Sequence, residues 1–479
     1  ESLPGLDVSQ FSVDVNTAVA KNEATNKAYI KGAEIASEDD RAGDVSVVTD
    51  GRSYAKAKIR ENSSLSLISV GLTTLYAYAK GNFQAYIDTT GGSIHAASIA
   101  VENTYRSIAE SETTQATGGL TISSASVEGN IAISSVTTNA EAAIKGTGTI
   151  STTGKIEVKA TGIANALSGV MTPTASLSFI KIAANILTSK VAAVQKAYIA
   201  NVKITSAGNV TVQSTLNESS DYGAKAILGS SAGGLDTNIT FYGGQVNTAI
   251  ATAEAKNYAY VEGASFGDQN TRTGELKVTA KGTSIAVADI AAGALSAGYV
   301  SIGTSVLLAR ANFDYHAYVD TTGASLYIDS LTVTNTYTAS ATAKTAQPSK
   351  GTISGYEANV NVAEASVNKA ESSDLNAEAA VKGNGTITTP GAIVVQATGT
   401  ATADARVVTP NVTLSGVKIA VNEITATLNA VQKAYIESAT IQAGSIQVSS
   451  TLNNADNTGA VAQMGSSADG VDANVSLIG

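Results

Sequence analysis

Ala85-Tyr86-Ile87-Asp88-Thr89-Thr90-Gly91 returns as Ala317-Tyr318-Val319-Asp320-Thr321-Thr322-Gly323, 232 positions later. Its first three residues return more often than that. They stand, with small changes, at Ala28-Tyr29-Ile30, Ala85-Tyr86-Ile87, Ala142-Ala143-Ile144 and Ala197-Tyr198-Ile199. They appear again at Ala259-Tyr260-Val261, Ala317-Tyr318-Val319, Ala379-Ala380-Val381 and Ala434-Tyr435-Ile436. The intervals are 57, 57, 55, 62, 58, 62 and 55 residues, so eight units of about 58 residues fill the chain. A second landmark follows each tripeptide. It reads Gly-x-Ile/Val/Leu-x-Val, as in Gly154-Lys155-Ile156-Glu157-Val158 and Gly274-Glu275-Leu276-Lys277-Val278. Two copies lack the glycine, Ala97 to Val101 and Asp329 to Val333, but the last residue is Val in all eight.

A longer period encloses these units. Val194-Gln195-Lys196-Ala197-Tyr198-Ile199 matches Val431-Gln432-Lys433-Ala434-Tyr435-Ile436, 237 residues on. The spacing predicts two continuous copies of about 235 residues, residues 1–240 and residues 241–479, with four units each. Both ends and the midpoint share one phase, so the expectation is a window of a longer repetitive chain.

Each unit has a strand-and-turn grammar. Apolar residues alternate with a period near two in Ser64 to Val70 and in Lys155 to Ala160. Gly, Asn, Asp, Ser and Thr punctuate the runs. Ala-rich Val246 to Val261 has helical propensity, but its β-branched residues and its period favour strand. The apolar stretch Ile285 to Ala309 is long enough to raise a membrane span. Its β-branched residues and three glycines fit buried strands better, and no membrane insertion is expected. The predicted fold class is all-β, an elongated β-solenoid. Two or three coils per unit, each about 20–29 residues, would give about 16–24 coils and a rod of roughly 75–115 Å at ~4.8 Å per coil.

Composition agrees. The 479 residues include no Cys, no Trp, 2 His, 5 Pro and 43 Gly, and only 15% are charged. Without Cys there is no disulfide scaffold and no thiol nucleophile or ligand. Five prolines suit a chain whose backbone N–H groups feed ladders. A net charge of −10 without a basic stripe argues against nucleic acid. Small side chains suit a narrow core built coil by coil rather than one large globular core.

The order Val246-Asn247-Thr248-Ala249, Ala259-Tyr260-Val261-Glu262-Gly263, Gly274-Glu275-Leu276-Lys277-Val278 resembles the repeats of large bacterial filamentous adhesins, the haemagglutinin-like and leukotoxin-like exoproteins. The resemblance spans essentially the whole chain. It implies a right-handed β-helix, secretion and display at the cell surface.

Candidate chemistry is sparse. His95 and His316 do not recur at equivalent positions, which reads as surface or edge histidines rather than a repeated site. Asp39 with Asp40, and Asp314 with Asp320, are the paired carboxylates a glycosidase would need, but no sugar-stacking Trp accompanies them. No enzymatic activity is expected. Asp88-Thr89-Thr90-Gly91 and its copy offer one carboxylate and two hydroxyls, a thin set for calcium, and read as turns in which Asp bonds the backbone. No cofactor is expected; calcium is the one ion the pattern leaves open. Gly229 to Gly234 lacks the Gly-Lys-Ser/Thr ending of a phosphate loop and reads as a coil corner.

The remaining candidate is a row of tyrosines. Tyr29, Tyr86, Tyr198, Tyr260, Tyr318 and Tyr435 fill one slot of the repeat, with Ala143 and Ala380 in it at the third unit of each copy. Such a row can contact a partner or glycan; packing on the neighbouring coil is its plainer role. The expected function is the structural shaft of an extracellular, cell-surface filament or adhesin. Its partners would be copies of itself, end to end or laterally, and a host or neighbouring-cell surface. The alternative is a binding module whose Tyr, Ser and Thr faces recognise a glycan or protein.

Overall fold

The computed structural model describes residues 6–61, 63–115, 120–172, 175–230, 237–291, 295–346, 352–368, 375–409, 412–455, 458–466 and 473–478. These residues form strands and turns without a helix, in two sheets of parallel strands. Val246 to Val261 lies within the strand Thr237–Glu262. The described residues of Ile285 to Ala309 belong to the strands Thr273–Ala291 and Leu295–Asp320. No helix is long and apolar enough to cross a membrane among the described residues.

The first sheet stacks long strands, among them Leu6–Lys31, Ser63–Asp88, Leu120–Lys145, Ala175–Ala200, Thr237–Glu262 and Leu295–Asp320. The second holds Ala42–Glu61, Ser93–Gln115, Ile156–Thr172, Thr273–Ala291, Ser325–Ala346 and Ala392–Thr409 with shorter pieces between them. Tyr29 pairs with Tyr86, Tyr86 with Ala143, Ala143 with Tyr198 and Tyr198 with Tyr260. Ladder neighbours are thus one whole unit apart. A unit makes one circuit, passing through each sheet once as a long strand or as shorter strands in line, and the expected two or three coils per unit are overturned. The reason lies in the glycines. Gly51, Gly81 and Gly162 fall inside strands, where they make room for a neighbour's ring instead of turning the chain.

The dimensions change accordingly. A strand of 26 residues has a contour of ~86 Å. The nine strands on the main path of the first sheet, at ~4.8 Å spacing, span only ~38 Å along the stacking axis. The described chain is a broad slab along that axis, about half or less of the expected rod. The boundary between residues 240 and 241 falls inside Thr237–Glu262, which pairs on both sides, skips Phe241 and resumes in the same register at Tyr242.

Two cores fill the slab. Near the turn that joins the sheets, Ile87, Ile94, Ile99, Val101 and their equivalents pack an aliphatic cluster. The Val residues of the second landmark stand in one row, buried here at Val47, Val101, Val158, Val212, Val278, Val333 and Val395 and 44% exposed at Val448. Farther along, alanines such as Ala77, Ala79, Ala109 and Ala132 line the interior. The sheets approach closely there. Ser111 Oγ donates to Ile133 O at 2.7 Å, and Ser134 Oγ to Leu167 O at 2.6 Å, so a serine reaches the backbone of the facing sheet. That separation is well inside the ~10 Å of ordinary packed sheets. Some of the interior aromatic rings have ladder neighbours that lack a Cβ on both sides. Tyr105 lies between Gly51 and Gly162, and Tyr337 between Gly282 and Gly399. A Cβ on Gly162 would sit 2.1 Å from the Tyr105 ring.

Gly229 and Ser230 end the strand Ala224–Ser230, and the rest of the run to Gly234 lies outside the described residues. The Asp-Thr-Thr-Gly segments are turns. Asp88 Oδ1 accepts from Thr90 N at 3.0 Å and Asp320 Oδ1 from Thr322 N at 2.9 Å, with positive φ at Gly91 and Gly323.

Candidate functional site

Parallel, in-register pairing places identical slots of the repeat above one another. The tyrosine slot therefore becomes one row on the outer face of the first sheet, ordered Tyr29, Tyr86, Ala143, Tyr198, Tyr260, Tyr318, Ala380, Tyr435. Rings one strand apart stack. Tyr29 and Tyr86 have centroids 5.2 Å apart with planes at 7°. Tyr198 and Tyr260 are at 4.8 Å and 1°, and Tyr260 and Tyr318 at 5.0 Å and 7°. Such pairs stabilise by about 1 kcal/mol each. The rings spend their faces on each other and are half-buried, apart from Tyr29 at the edge, 58% exposed. Burial, with Glu262 and Glu141 nearby, raises the Tyr260 phenol to about 12.

The two lapses in the row are filled. At Ala143 the next outward residue along the strand, Lys145, brings its ammonium 4.5 Å from the Tyr86 ring centre and 5.9 Å from that of Tyr198. The preceding outward residue, Glu141, accepts from Lys145 Nζ at 2.7 Å and from the Tyr198 hydroxyl at 2.6 Å. A cation thus occupies the place of a ring, with the π-face attraction that suits it. Burial first, and the Glu141 bond next, raise the Tyr198 phenol.

At Ala380 the same plan is elaborated. Lys382 Nζ stands 4.0 Å from the Tyr318 ring centre and 3.1 Å from Glu378 Oε1. The Tyr435 hydroxyl donates to Glu378. Glu378 Oε2 also faces His316 Nδ1 at 2.7 Å, while His316 Nε2 faces Asp314 Oδ1 at 2.5 Å. Asp314 accepts in turn from the Tyr258 hydroxyl. An imidazole with a carboxylate at each nitrogen is held as the doubly donating cation. Burial opposes that charge, yet the bonds to Asp314 and Glu378 outweigh it and raise His316 to about 9. Burial likewise works against Glu378, but His316, Tyr435 and Lys382 lower it to about 2.

His316 lies on the outer face of the sheet, away from its edges and 16% exposed, at the centre of an ion network that its own sequence surroundings did not announce. The signal was present in Ala-Glu-Ala-Ala-Ile-Lys-Gly at 140–146 and Ala-Glu-Ala-Ala-Val-Lys-Gly at 377–383, where Glu and Lys flank the missing ring by two residues each. His95 lies apart in the second sheet, paired with Ser151, and its Nδ1 is buried without a partner among the described residues.

The paired carboxylates fall into separate roles. Asp314 serves the histidine and Asp320 a turn. Asp40 closes a small loop in which its N–H donates to Ser37 Oγ at 3.2 Å. Among the described residues no three His, Asp or Glu side chains gather as a metal set would require. Comparison with protein-family models, curated proteins and solved structures gave no significant match.

Proposed function

We propose that this chain is part of the structural shaft of an extracellular, cell-surface filament or adhesin, built as a right-handed β-solenoid of eight units in two copies. The observation that carries the reading is the unbroken parallel register. The tyrosine row and the valine row each keep one position through strand after strand, across the boundary between the copies. Such a structure transmits length and stiffness through backbone ladders, and its stability sums over neighbouring strands. Among the described residues strand Leu6–Lys31 pairs with Ser63–Asp88 alone, so its other side is an edge to which a parallel strand can add. That edge supports end-to-end growth. The use of tyrosine faces and lysine charges on one another supports a structural rather than a ligand-binding row.

Negative-stain microscopy of the purified chain tests the reading. Fibres growing along the stacking axis, with no saturable binding on a glycan array, are expected. Discrete particles that bind a glycan, with affinity lost in Tyr86→Ala/Tyr318→Ala, would establish the binding-module alternative instead.

A further inference from the structure

The first third of each long strand in the first sheet reverses the usual sidedness. The strand faces the preceding one across the two sheets, since Ser111 Oγ meets Ile133 O. Pairing skips one position per strand, Leu67 opposite Ser124 and Phe179 opposite Phe241, and resumes on the next residue. On the inner side of this stretch the side chains are polar and bonded strand to strand. Asn130 Nδ2 donates to Asn185 Oδ1 and Asn185 Nδ2 to Asn247 Oδ1, each at 2.9 Å. Ser123 and Ser178 hydroxyls meet at 3.2 Å, and Lys181 lies 3.3 Å from Glu128. These bonded ladders determine which face points inward.

The outer side carries what the inner side lacks. In register with Leu65, Leu67, Ile68, Val70 and Leu72, the other strands place Val, Ile, Leu, Phe, Tyr, Ala and Gly, with Gln10, Ser124 and Thr304 the polar exceptions in the described rows. No charge occurs among them, in a chain that is 15% charged. Phe11 is 61% exposed, Ile302 55%, Phe241 55% and Ile182 53%. The stripe spans seven residue steps and eight strands, about 23 Å by 34 Å, or roughly 800 Å². That exceeds the 300–600 Å² patch of an ordinary monomer and equals the ~800 Å² that each partner contributes to a stable interface.

We propose that this stripe is a lateral interface on which a second copy of the chain docks, apolar rows against apolar rows. The area is what a stable pair requires. The rows recur at the spacing between strands, so an identical stripe meets them at the same pitch, and an isologous contact needs no other surface. An anionic lipid surface would call for a basic rim, and the chain carries −10. The proposal deepens the shaft reading by naming its side-to-side contact.

The absence of Cys makes the test clean. Chains carrying Ile302→Cys should cross-link in pairs under mild oxidation. Chains carrying Thr211→Cys, on the outer face of the second sheet, should not. In sedimentation velocity the native chain should associate, and Ile182→Lys/Ile302→Lys should weaken association at least about tenfold with an unchanged circular-dichroism spectrum. If that variant does not fold, the cysteine pair decides alone. A native chain that stays monomeric at high micromolar concentration, equal cross-linking at both cysteines, or flotation of monomers with phosphatidylcholine vesicles overturns the proposal. Microscopy separates the two readings. Fibres that form but do not narrow in the lysine variant defeat the stripe alone, whereas particles without fibres from either chain defeat the shaft.

Discussion

The lapses in the tyrosine row at Ala143 and Ala380 share a Glu and a Lys and differ in the neighbour each Glu meets. Gln84 Nε2 reaches Glu141 weakly, at 3.4 Å, whereas His316 Nδ1 stands 2.7 Å from Glu378. The Glu141 side chain remains 18% exposed and that of Glu378 only 4%. His316 in place of Gln84, together with Asp314 in place of Asn82, thus extends a local Lys–Glu–Tyr cluster into a chain of groups from Tyr258 to Tyr435. Gln84, a neutral amide, adds no ionisable group at the first gap, while the imidazolium of His316 gives the second a pH window of its own.

Removing the carboxylate tests the contrast most strongly. Glu378→Ala leaves Lys382 and His316 each short of a partner in a mostly buried setting and should cost about 3 kcal/mol. Glu141→Ala, in a wetter site with a neutral neighbour, should cost about 1 kcal/mol. Denaturant unfolding of both variants measures the difference, and equal costs would erase the distinction between the gaps.

The pH dependence comes next. His316 is raised from 6.5 to about 9, so its contribution is complete below 6.5 and fades as pH rises through 9. Glu378 is lowered from 4.5 to about 2, so its contribution is complete above 4.5 and fades as pH falls towards 2. The network is strongest from about pH 4.5 to 6.5. The stability gap between the native chain and His316→Gln should be ~2 kcal/mol at pH 6 and shrink towards zero by pH 10. Gln84→His should install a smaller alkaline limb at the first gap, because Asn82 stands where the second copy has Asp314. A flat difference curve for His316→Gln would sink the imidazolium assignment.

Lysine truncation should act more weakly. Lys145→Ala should lose about 1 kcal/mol, and Lys382→Ala somewhat more, since its ammonium lies closer to a ring, 4.0 Å against 4.5 Å. Thermal melts rank the two. The smallest change is expected for Ala143→Tyr, which exchanges a cation–π contact for ring stacking and should shift stability by less than about 1 kcal/mol. Near-ultraviolet circular dichroism should then report a continuous stack from Tyr29 to Tyr318.

Much of this was readable beforehand. The tyrosine row, its two lapses, the valine row and the Asp-Thr-Thr-Gly turns all follow from intervals between repeated residues, because parallel in-register pairing turns equal spacing into adjacency. The coil size did not follow. A glycine reads as a turn in sequence, yet Gly162 is a notch for Tyr105, a neighbour 57 residues away. The network around His316 went unread for a related reason. Its partners Glu378 and Tyr258 lie 62 and 58 residues away, so neither appears in its local sequence.

The sequence alone determined that the chain is built of parallel repeats with alternating faces, since a period of two within a period of about 58 leaves few other solutions. Only the tertiary structure decided which face is inside. By hydrophobicity Leu65 belongs in the core and Ser66 outside, yet Ser66 is 7% exposed and Leu65 36%. The bonded asparagine, serine and Glu128–Lys181 ladders turn the polar face inward in the first third of the long strands and leave the apolar one for solvent or for a neighbour.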